Sequence, residues 1–541
     1  MTNRTTLLLV LTLLVALSPV APGVSLVPDA RADDPVMSTR SGPSPIESLE
    51  DRLVGDDAPA DPVEREVFVI VQMKQEAALD RSRSDLSIVD REGARIARGY
   101  VPLTAVRDLS NDPRVEAVRI ERSRLQGGGT PALATDPNVA AGVPAVGADE
   151  LHLAGVTGRG VTVGVIDAGF RVSDPEIAGH VGAYRSFGDE GSDWTHGTAV
   201  ASVVTDTAPG ANLHLAAVGE STTPEEYREA VTWLRRSGAD VIVDAGSYFG
   251  QPGDGSGEIA AVASAAAREV VFVAASGNYA ERHWRGRHDP TAGIERVRFA
   301  PGERANYLAG GAPFGGPVRA TLRWDDWNAT GENRSDYDLL LLRRQPGPDP
   351  VVASGTESGE DPVEHLAARV PRGRYYLAVR AANGSTGNAS DGDTLDLFAG
   401  RGLTHHSPGA SLTAPGTARG VLTVGAGTEN GTVAAFSSRG PVAGTDRRGV
   451  DLIAPDAVAL PGASTGAGSS YAAPYVAGTA ALLLDGHPSL APRDVRSVLR
   501  NSAVDVGPAG PDTASGYGRL DAVAADELAA EHERYAGIDD P

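Results

Sequence analysis

Residues 142–278 alternate between short apolar runs and longer segments in which apolar residues recur at helical spacing. Apolar runs of this kind predict buried strands, and the longer segments predict helices. The predicted strands are Val161–Ile166, Leu213–Val218, Val241–Val243 and Val270–Ala274, and the predicted helices are His196–Thr205, one beginning at Thr223-Pro224, and Glu258–Arg268. Such alternation predicts a parallel sheet with helices on both faces.

The pattern changes beyond residue 278, where period-2 and aliphatic runs are separated by Gly, Pro, Asp and Asn. The clearest of these runs are Arg319–Trp324, Tyr337–Leu342 and Tyr375–Arg380. Runs of this kind between turn residues are typical of antiparallel strands. We therefore predict an inserted antiparallel β-sandwich over residues 290–400.

The α/β pattern returns at Gly420–Val424 and ends in two predicted helices, around 471–484 and 492–501. One α/β domain is therefore expected in two parts that flank the sandwich. These parts are residues 142–285 and 405–525, and residues 526–541 are expected to form a C-terminal tail.

The N-terminus carries the features of a signal peptide. Arg4 precedes an apolar run from Leu7 to Leu17, and Ala30-Arg31-Ala32 fits a small-x-small cleavage site. The apolar run is too short to span a bilayer, so residues 1–32 predict export and a secreted, extracellular protein. No association with a membrane is expected once the signal peptide is removed.

Two further sections are expected before the α/β domain. Residues 33–65 are rich in Asp, Pro and Ser and predict a disordered linker. Residues 66–124 predict a small α+β domain, with strands at Val67–Met73 and Val115–Ile120 and a helix within Leu103–Leu109.

The composition excludes several classes of function. The formal net charge of −23 argues against nucleic-acid binding, which depends on clustered Lys and Arg. The chain has no cysteine, which excludes thiol chemistry and thiolate metal sites. Absence of disulfides is compatible with export because a chain of 541 residues can bury a large core.

Three polar residues in distant segments suggest nucleophilic catalysis. Asp167 follows a predicted strand, His196 opens a predicted helix, and Ser470 lies between Gly468-Ser469 and an apolar run. A carboxylate, an imidazole and a hydroxyl are the parts that a serine nucleophile needs. Each residue alone is also compatible with a structural role, as a turn aspartate, a structural histidine or a capping serine.

Ser470 is expected at a helix start because of Pro474. A first-turn proline has no hydrogen bond to lose, so the helix should begin near Ser470. Free N–H groups at that end would stabilise a developing oxyanion. Ser469 is the rival nucleophile. Asn278 follows another predicted strand, and its amide could donate to the same oxyanion, although an Asn next to Gly is also a common turn residue.

Taken together, these segments resemble the subtilisin-like serine peptidases over about residues 145–280 and 405–525. The resemblance rests on D-A-G at 167–169, H-G-T at 196–198, G-N at 277–278, F-S-S-R-G-P at 436–441, A-P at 454–455, G-S-S-Y-A-A-P at 468–474 and G-Y-G-R-L-D-A at 516–522. It implies that Ser470 is the nucleophile, His196 the general base, Asp167 its orienting partner and Asn278 the oxyanion donor. The α/β domain would then be the peptidase domain.

The resemblance also implies partners and cofactors. Residues 66–124 resemble the family's inhibitory propeptide, so a zymogen is expected, cleaved between roughly Arg122 and Val146. Protein or peptide substrates and a monomer are expected. No cofactor is needed for the chemistry, and no residue is assigned to one. Structural calcium is compatible with the family, but the metal ligands are unknown.

Clustered acidic residues are a second place where calcium could bind. The inserted region contains Asp325-Asp326 and Asp336-Tyr-Asp338, and Asp189, Glu190 and Asp193 precede His196. Carboxylates near strand ends can hold calcium, and solvated turn acids are the alternative.

Residues 241–250 depart from the family pattern. Family members carry a Ser-Leu-Gly edge there that pairs with the substrate backbone, whereas this chain has Asp244, Tyr248 and Phe249. Subsite preference therefore cannot be inferred. A catalytically inactive binding protein of the same fold is the alternative function. An esterase or lipase is disfavoured because Asp167, His196 and Ser470 do not follow the Ser-first order of those enzymes.

Overall fold

The computed structural model describes residues 66–73, 87–92, 96–102, 114–120, 142–188, 194–219, 221–288, 296–327, 335–357, 361–381, 392–458 and 466–536. The chain divides into two compact units, Met1–Thr130 and Pro131–Pro541. The expected signal peptide, linker and Leu103–Leu109 helix lie outside the described residues, as do Asp189, Glu190 and Asp193.

The first unit contains one antiparallel sheet in the order β2-β3-β1-β4. Its strands are β1 (Glu66–Met73), β2 (Ser87–Glu92), β3 (Ile96–Pro102) and β4 (Val115–Ile120). Strands β1 and β4 correspond to the two strands expected for the small N-terminal domain. Strands β2 and β3 were not anticipated from the sequence.

The second unit contains the remaining strands and all the described helices. Its strands are β5 (Thr162–Asp167), β6 (Val181–Ser186), β7 (Asn212–Ala217), β8 (Val241–Asp244), β9 (Val271–Ala275), β10 (His283–His288), β11 (Asn306–Tyr307), β12 (Phe314–Trp324), β13 (Tyr337–Arg343), β14 (Val351–Ser354), β15 (Thr356–Glu357), β16 (Val363–Gly373), β17 (Tyr375–Ala381), β18 (Asp393–Ala399), β19 (Leu422–Gly427), β20 (Leu452–Pro455), β21 (Ala457–Val458) and β22 (Gly466–Ala467). Its α-helices are α1 (Gly142–Ala145), α2 (Ala148–Leu153), α3 (Thr195–Thr207), α4 (Pro224–Arg236), α5 (Glu258–Ala266), α6 (Ser469–Gly486), α7 (Pro492–Asn501) and α8 (Ala522–Ala536).

The central sheet is parallel and has seven strands in the order β20-β19-β9-β8-β5-β7-β6. Side chains of β5 alternate between its two faces, as the pleat requires. Val163 and Val165 join a core that contains α3 and α6, whereas Ile166 joins a second core that contains α4 and α5. Helices therefore cover both faces, and the predicted fold class is confirmed.

The insertion is a sandwich of two antiparallel sheets, in the orders β10-β18-β12-β16-β15 and β11-β17-β13-β14. Leucines from both sheets, among them Leu322, Leu341 and Leu397, form the core between them. This arrangement matches the inserted antiparallel β-sandwich expected from the period-2 runs.

The sandwich begins earlier in the chain than residue 290, where the sequence predicts its start. Strand β10 begins at His283 and pairs with β18 over its whole length, and Trp284 packs in the sandwich core. Residues 283–285 therefore belong to the insertion instead of the α/β domain. The sequence His-Trp-Arg-Gly-Arg-His has no apolar alternation that would identify it as a strand.

The expected C-terminal tail is largely a helix. Helix α8 spans Ala522–Ala536, and Ala525 and Ala529 are completely buried in the core of the α/β domain. Small apolar residues at helical spacing form the buried side of this helix. The charged residues between them make the helix hard to recognise from the sequence. No helix among the described residues has the length and apolarity needed to cross a membrane.

Candidate active site

Asp167 and His196 form a hydrogen-bonded pair at the end of β5. Asp167 is the last residue of this strand, and His196 is the second residue of α3. The His196 Nδ1 atom lies 2.8 Å from Oδ2 and 3.1 Å from Oδ1 of Asp167. Because a carboxylate can only accept, Nδ1 carries the proton and Nε2 of the neutral ring keeps its lone pair. The carboxylate is buried, whereas the His196 side chain is 37% exposed.

The backbone behind this pair is held in place by a short network. Thr198 Oγ1 accepts from the Arg171 N–H at 2.8 Å and donates to the Trp194 carbonyl at 2.7 Å. Trp194 in turn lies against Gly169, where a Cβ would approach its ring to 2.6 Å. The turn after Asp167 is thereby tied to the start of α3. The sequence singled out the histidine of H-G-T but not this role for Thr198.

Ser470 and Ser469, the two candidate nucleophiles, have different environments. Ser469 is completely buried, and its Oγ accepts from the Gly277 N–H at 3.0 Å. Ser470 is slightly exposed, and its hydroxyl donates to the Ala245 carbonyl at 3.1 Å. Ser469 thus bonds the backbone next to Asn278, and Ser470 is the more exposed of the two serines.

Helix α6 begins at Ser469, as the sequence suggested, but Pro474 does not lie in its first turn. Pro474 is an interior residue of the helix, one turn beyond Ser470. In that position it removes the donor that would bond the Ser470 carbonyl. The helix therefore begins where the sequence predicts, but Pro474 is not the cause of its start.

Asn278 lies against the segment that carries the serines. Its Oδ1 accepts from the Ser469 N–H at 2.9 Å. Its Nδ2 occupies space beside Gly468, where a Cβ would lie only 2.9 Å from it. With Oδ1 engaged, the amide nitrogen is the end of the side chain that remains for a substrate oxygen.

The four predicted site residues come together at the carboxyl ends of neighbouring strands β9, β8 and β5. Asn278 follows β9, Ala245 follows β8, and Asp167 ends β5. Ser470 reaches this edge through the Ala245 carbonyl, and the Tyr471 ring lies 5.4 Å from the His196 ring between centroids. A sheet edge of this kind is where open α/β folds hold their ligands.

The departure at 241–250 creates a buried polar cluster beside the site. The Asp244 carboxylate accepts from the Gly246 N–H at 2.7 Å and from the Tyr227 hydroxyl at 2.8 Å, and Tyr248 is a further partner. Burial raises the pKa of Asp244 to about 7, and the charge of Asp167 contributes in the same direction, whereas these hydrogen bonds lower it. Burial beside Asp244 also raises the Tyr227 and Tyr248 pKa values well above their ordinary range.

The acidic residues of the sandwich give no assignable calcium site. Carboxylate oxygens of Asp325, Asp326 and Asp393 lie within 4.8 Å of one another. Each of these carboxylates already accepts a hydrogen bond from the protein, from Thr394 N, Ser335 N and the Tyr337 hydroxyl respectively. Asp338, one of the two acids of the Asp336-Tyr-Asp338 stretch, pairs with Arg380 at 2.6 Å. Structural calcium stays a prediction, and no ligand set is assigned to it.

Comparison with known proteins identifies the family of this chain. The model of the subtilase family, peptidase S8, matches residues 158–309 and 356–518. The chain is 25% identical over 462 residues to the minor extracellular protease Vpr of Bacillus subtilis. This alignment covers 73% of this chain and 55% of that protein. It is also 34% identical over 131 residues to the halolysin-like extracellular serine protease Nep of Natrialba magadii. That alignment covers 23% of this chain and 22% of that protein.

Among solved structures, the CspB protease of Clostridium perfringens is similar with a TM-score of 0.50 and 18% identity. The match covers 73% of this chain and 99% of that chain. It supports the fold, including the parallel sheet covered by helices. The chain spans about half or less of the length of the curated relatives it matches.

Proposed function

The chain belongs to the subtilase family, and from this premise we propose that it is a secreted serine endopeptidase that hydrolyses peptide bonds through an acyl-enzyme. The observation that carries the proposal is the Asp167–His196 pair at a strand end, with Ser470 at a helix start on the same sheet edge. Relatives named as extracellular proteases and the predicted signal peptide support secretion.

In this mechanism the Ser470 hydroxyl attacks the carbonyl carbon of the scissile bond. His196 Nε2 accepts the hydroxyl proton and later transfers it to the leaving amine, and Asp167 stabilises the imidazolium that forms between these steps. Water then attacks the acyl-enzyme, with His196 again as general base. In the structure the Ser470 hydroxyl bonds to Ala245 O, so it must rotate toward His196 when substrate binds.

Asn278 supplies the side-chain donor to the tetrahedral oxyanion. Its Oδ1 is held by Ser469 N, which directs Nδ2 to the nucleophile segment. Since Ser469 N and Tyr471 N are engaged within the protein, the Ser470 N–H is the backbone donor that adds to it, at the positive end of the helix dipole. Both donors are fixed before the reaction, so they need little reorganisation in the transition state.

Casein hydrolysis by the purified secreted protein tests this function. Ser470→Ala and His196→Ala are each expected to lower kcat by at least ~10³-fold. Ser497→Ala, an exposed serine on α7, is the matched control and should retain full activity. Wild-type protein that hydrolyses no protein substrate would favour the alternative, a catalytically inactive binding protein.

One hydrogen bond favours the alternative function, a catalytically inactive binding protein. The Tyr248 N–H donates to the Ala414 carbonyl at 3.1 Å, so the segment expected to pair with substrate is partly paired within the protein. A substrate strand could then form fewer backbone bonds there than in family members with the usual Ser-Leu-Gly sequence.

We further propose that residues 66–124 are a propeptide that folds with the peptidase domain and inhibits it until cleavage, and that the mature enzyme is a monomer. Large α/β folds with many long-range contacts fold slowly, and a docked template would assist them. N-terminal sequencing of the active secreted protein should give a start between roughly Arg122 and Val146. Fully active protein that begins at Asp33 would contradict the propeptide.

A further inference from the structure

Part of the outer face of the five-stranded sheet, opposite the sandwich core, is also buried. In β12, Leu322 points into that core, whereas its neighbours Thr321 and Arg323 point to the other side and are also buried. In β18, Leu397 is in the core and Phe398 is on the opposite face, only 2% exposed. An outer sheet face that is buried must pack against another part of the chain.

The part it meets begins at Phe249, one of the residues that depart from the family pattern. The Phe398 and Phe249 rings lie 5.3 Å apart between centroids. Next along the chain, a Cβ on Gly250 would lie 3.5 Å from His365 Nε2, on strand β16 of the same sheet. Phe249 therefore contacts strand β18 of the insertion, and Gly250 lies near strand β16.

Arg323 continues these contacts along the segment. Its Nη1 donates to the Gln251 carbonyl at 2.9 Å. Its Nη2 fills the space beside Gly253, where a Cβ would lie only 2.5 Å from that nitrogen. Residues 249–253, here termed the clasped segment, are thus contacted by Phe398 at Phe249 and by Arg323 at Gln251 and Gly253.

Arg323 is a fixed group because its charge is buried and paired within the sheet. Its Nε atom lies 3.4 Å from Asp396 Oδ2, and its guanidinium lies 4.9 Å above the Phe398 ring. Burial alone would raise the Asp396 pKa, but the hydrogen bond from His283 and the charges of Arg323 and Arg285 lower it well below its ordinary range. A buried charge needs an oppositely charged partner, and the Arg323–Asp396 pair favours a single docked arrangement.

A second contact reaches the residue next to the oxyanion donor. Tyr279 follows Asn278 directly, and its ring meets Phe398 at 5.7 Å and Phe249 at 5.0 Å, both edge to face. Its N–H donates to Ser438 Oγ at 3.0 Å. The ring cluster therefore joins the insertion to the two chain segments that flank the site, one leading to Asn278 and one leading back to Ala245.

We propose that the inserted β-sandwich positions the active site, with Phe398 and Arg323 as positioning residues that fix the clasped segment and Tyr279. Through them the Ala245 carbonyl and the Asn278 side chain are held in place. This inference rests on the proposed peptidase function. It makes the insertion a structural part of the catalytic domain, in contrast to a separate module that binds another molecule through this face.

The test is a double-mutant cycle in the full-length protein with Phe249→Ala, Phe398→Ala and both together. Labelled casein is the substrate, and a fluorophosphonate counts the active sites. Each single variant is expected to lower kcat per active site by about 10- to 100-fold, because misplacement of the oxyanion donor acts on the transition state. The double variant should lose little more than the worse single one, because both changes break the same contact.

Leu341→Ala is the matched control for loss of stability. Leu341 is completely buried in the sandwich core, but it belongs to the other sheet. At a temperature where circular dichroism shows all variants folded, it should keep the wild-type kcat per active site. Equal losses of kcat in Leu341→Ala and Phe398→Ala would overturn the positioning role.

Normal kcat and KM in Phe398→Ala, with wild-type protein active, would overturn this proposal alone. Strictly additive losses in the cycle would also overturn it, since the two rings would then act independently. Wild-type protein that neither hydrolyses casein nor reacts with the fluorophosphonate would overturn the proposed function, and the positioning role with it.

Discussion

Gly197 leaves no space for a side chain behind the Asp167–His196 pair. A Cβ at this position would lie 2.3 Å from the Gly169 carbonyl and 2.9 Å from Asp167 Cβ. Both contacts are far inside van der Waals distance, so the absence of a side chain allows β5 and α3 to approach. At the scale of single residues, the geometry of the pair depends on this close approach as well as on the pair itself.

We therefore expect Gly197→Ala to displace His196 from Asp167. Overpacking of this kind destabilises a fold by about 1–3 kcal/mol, and a misplacement of the general base by about 1 Å lowers kcat by about 10²-fold. Casein hydrolysis and urea unfolding measure the two effects. Gly179→Ala is the control, since Gly179 is exposed and has no atom near the position of a Cβ. Equal activity of the two variants would contradict the prediction.

Asp244 gives the stability of the fold a dependence on pH. Its pKa is raised to about 7 in the folded protein, mainly by burial, so between about pH 4 and pH 7 the folded state holds a proton that the unfolded state has lost. Asp244 therefore contributes its full stabilisation below about pH 4. This contribution to the free energy of unfolding decreases as the pH rises and is lost above about pH 7.

Asp244→Asn should remove this dependence. The free energy of unfolding of the wild type, relative to the variant, is expected to fall by roughly 3 kcal/mol between about pH 5 and about pH 8, because one pKa unit corresponds to about 1.4 kcal/mol. Urea denaturation at the two pH values measures it. A constant difference between the two proteins would show that Asp244 does not titrate in this range.

Helix α4 shows which elements a sequence specifies locally. Thr223 caps the helix, with Glu226 N donating to its Oγ1 at 3.2 Å and the Glu226 carboxylate accepting from Thr223 N at 2.8 Å. Pro224 occupies the first turn. All three signals lie within four consecutive residues, so the helix start could be predicted from sequence alone. The helix carries Tyr227, which bonds Asp244.

Thr223→Ala should therefore destabilise the protein by about 1 kcal/mol, the usual contribution of a cap. Chemical denaturation measures the change, and Glu229→Ala on the exposed side of the same helix is the control. If both substitutions lowered the free energy of unfolding equally, the capping box would contribute no more to stability than an exposed side chain of the same helix.

Other elements could not be predicted because their cause lies far away in sequence. Strand β10 has no apolar alternation and exists because β18, more than 100 residues later, pairs with it. The same holds for the surroundings of the site. Asp167, His196, Ser470 and Asn278 could be proposed from local motifs, but the bond from Ser470 to Ala245 spans 225 residues and that from Arg323 to Gln251 spans 72. No local pattern encodes such contacts.

At the scale of the whole molecule, the second unit combines a parallel sheet with an inserted sandwich around one site. The sheet edge collects Asp167, Ala245 and Asn278, helix α6 brings Ser470 to it, and the sandwich contacts the clasped segment beside it. The family membership agrees with the proposed peptidase function. We expect Ser470, and not its neighbour Ser469, to be the reactive group.

Mapping of a fluorophosphonate adduct distinguishes Ser470 from Ser469 as the nucleophile. The secreted wild-type protein is labelled, digested and analysed by mass spectrometry that separates the adjacent serines. We expect one adduct, on Ser470, and no labelling of Ser470→Ala. An adduct on Ser469, or labelling that persists in Ser470→Ala, would contradict the assignment.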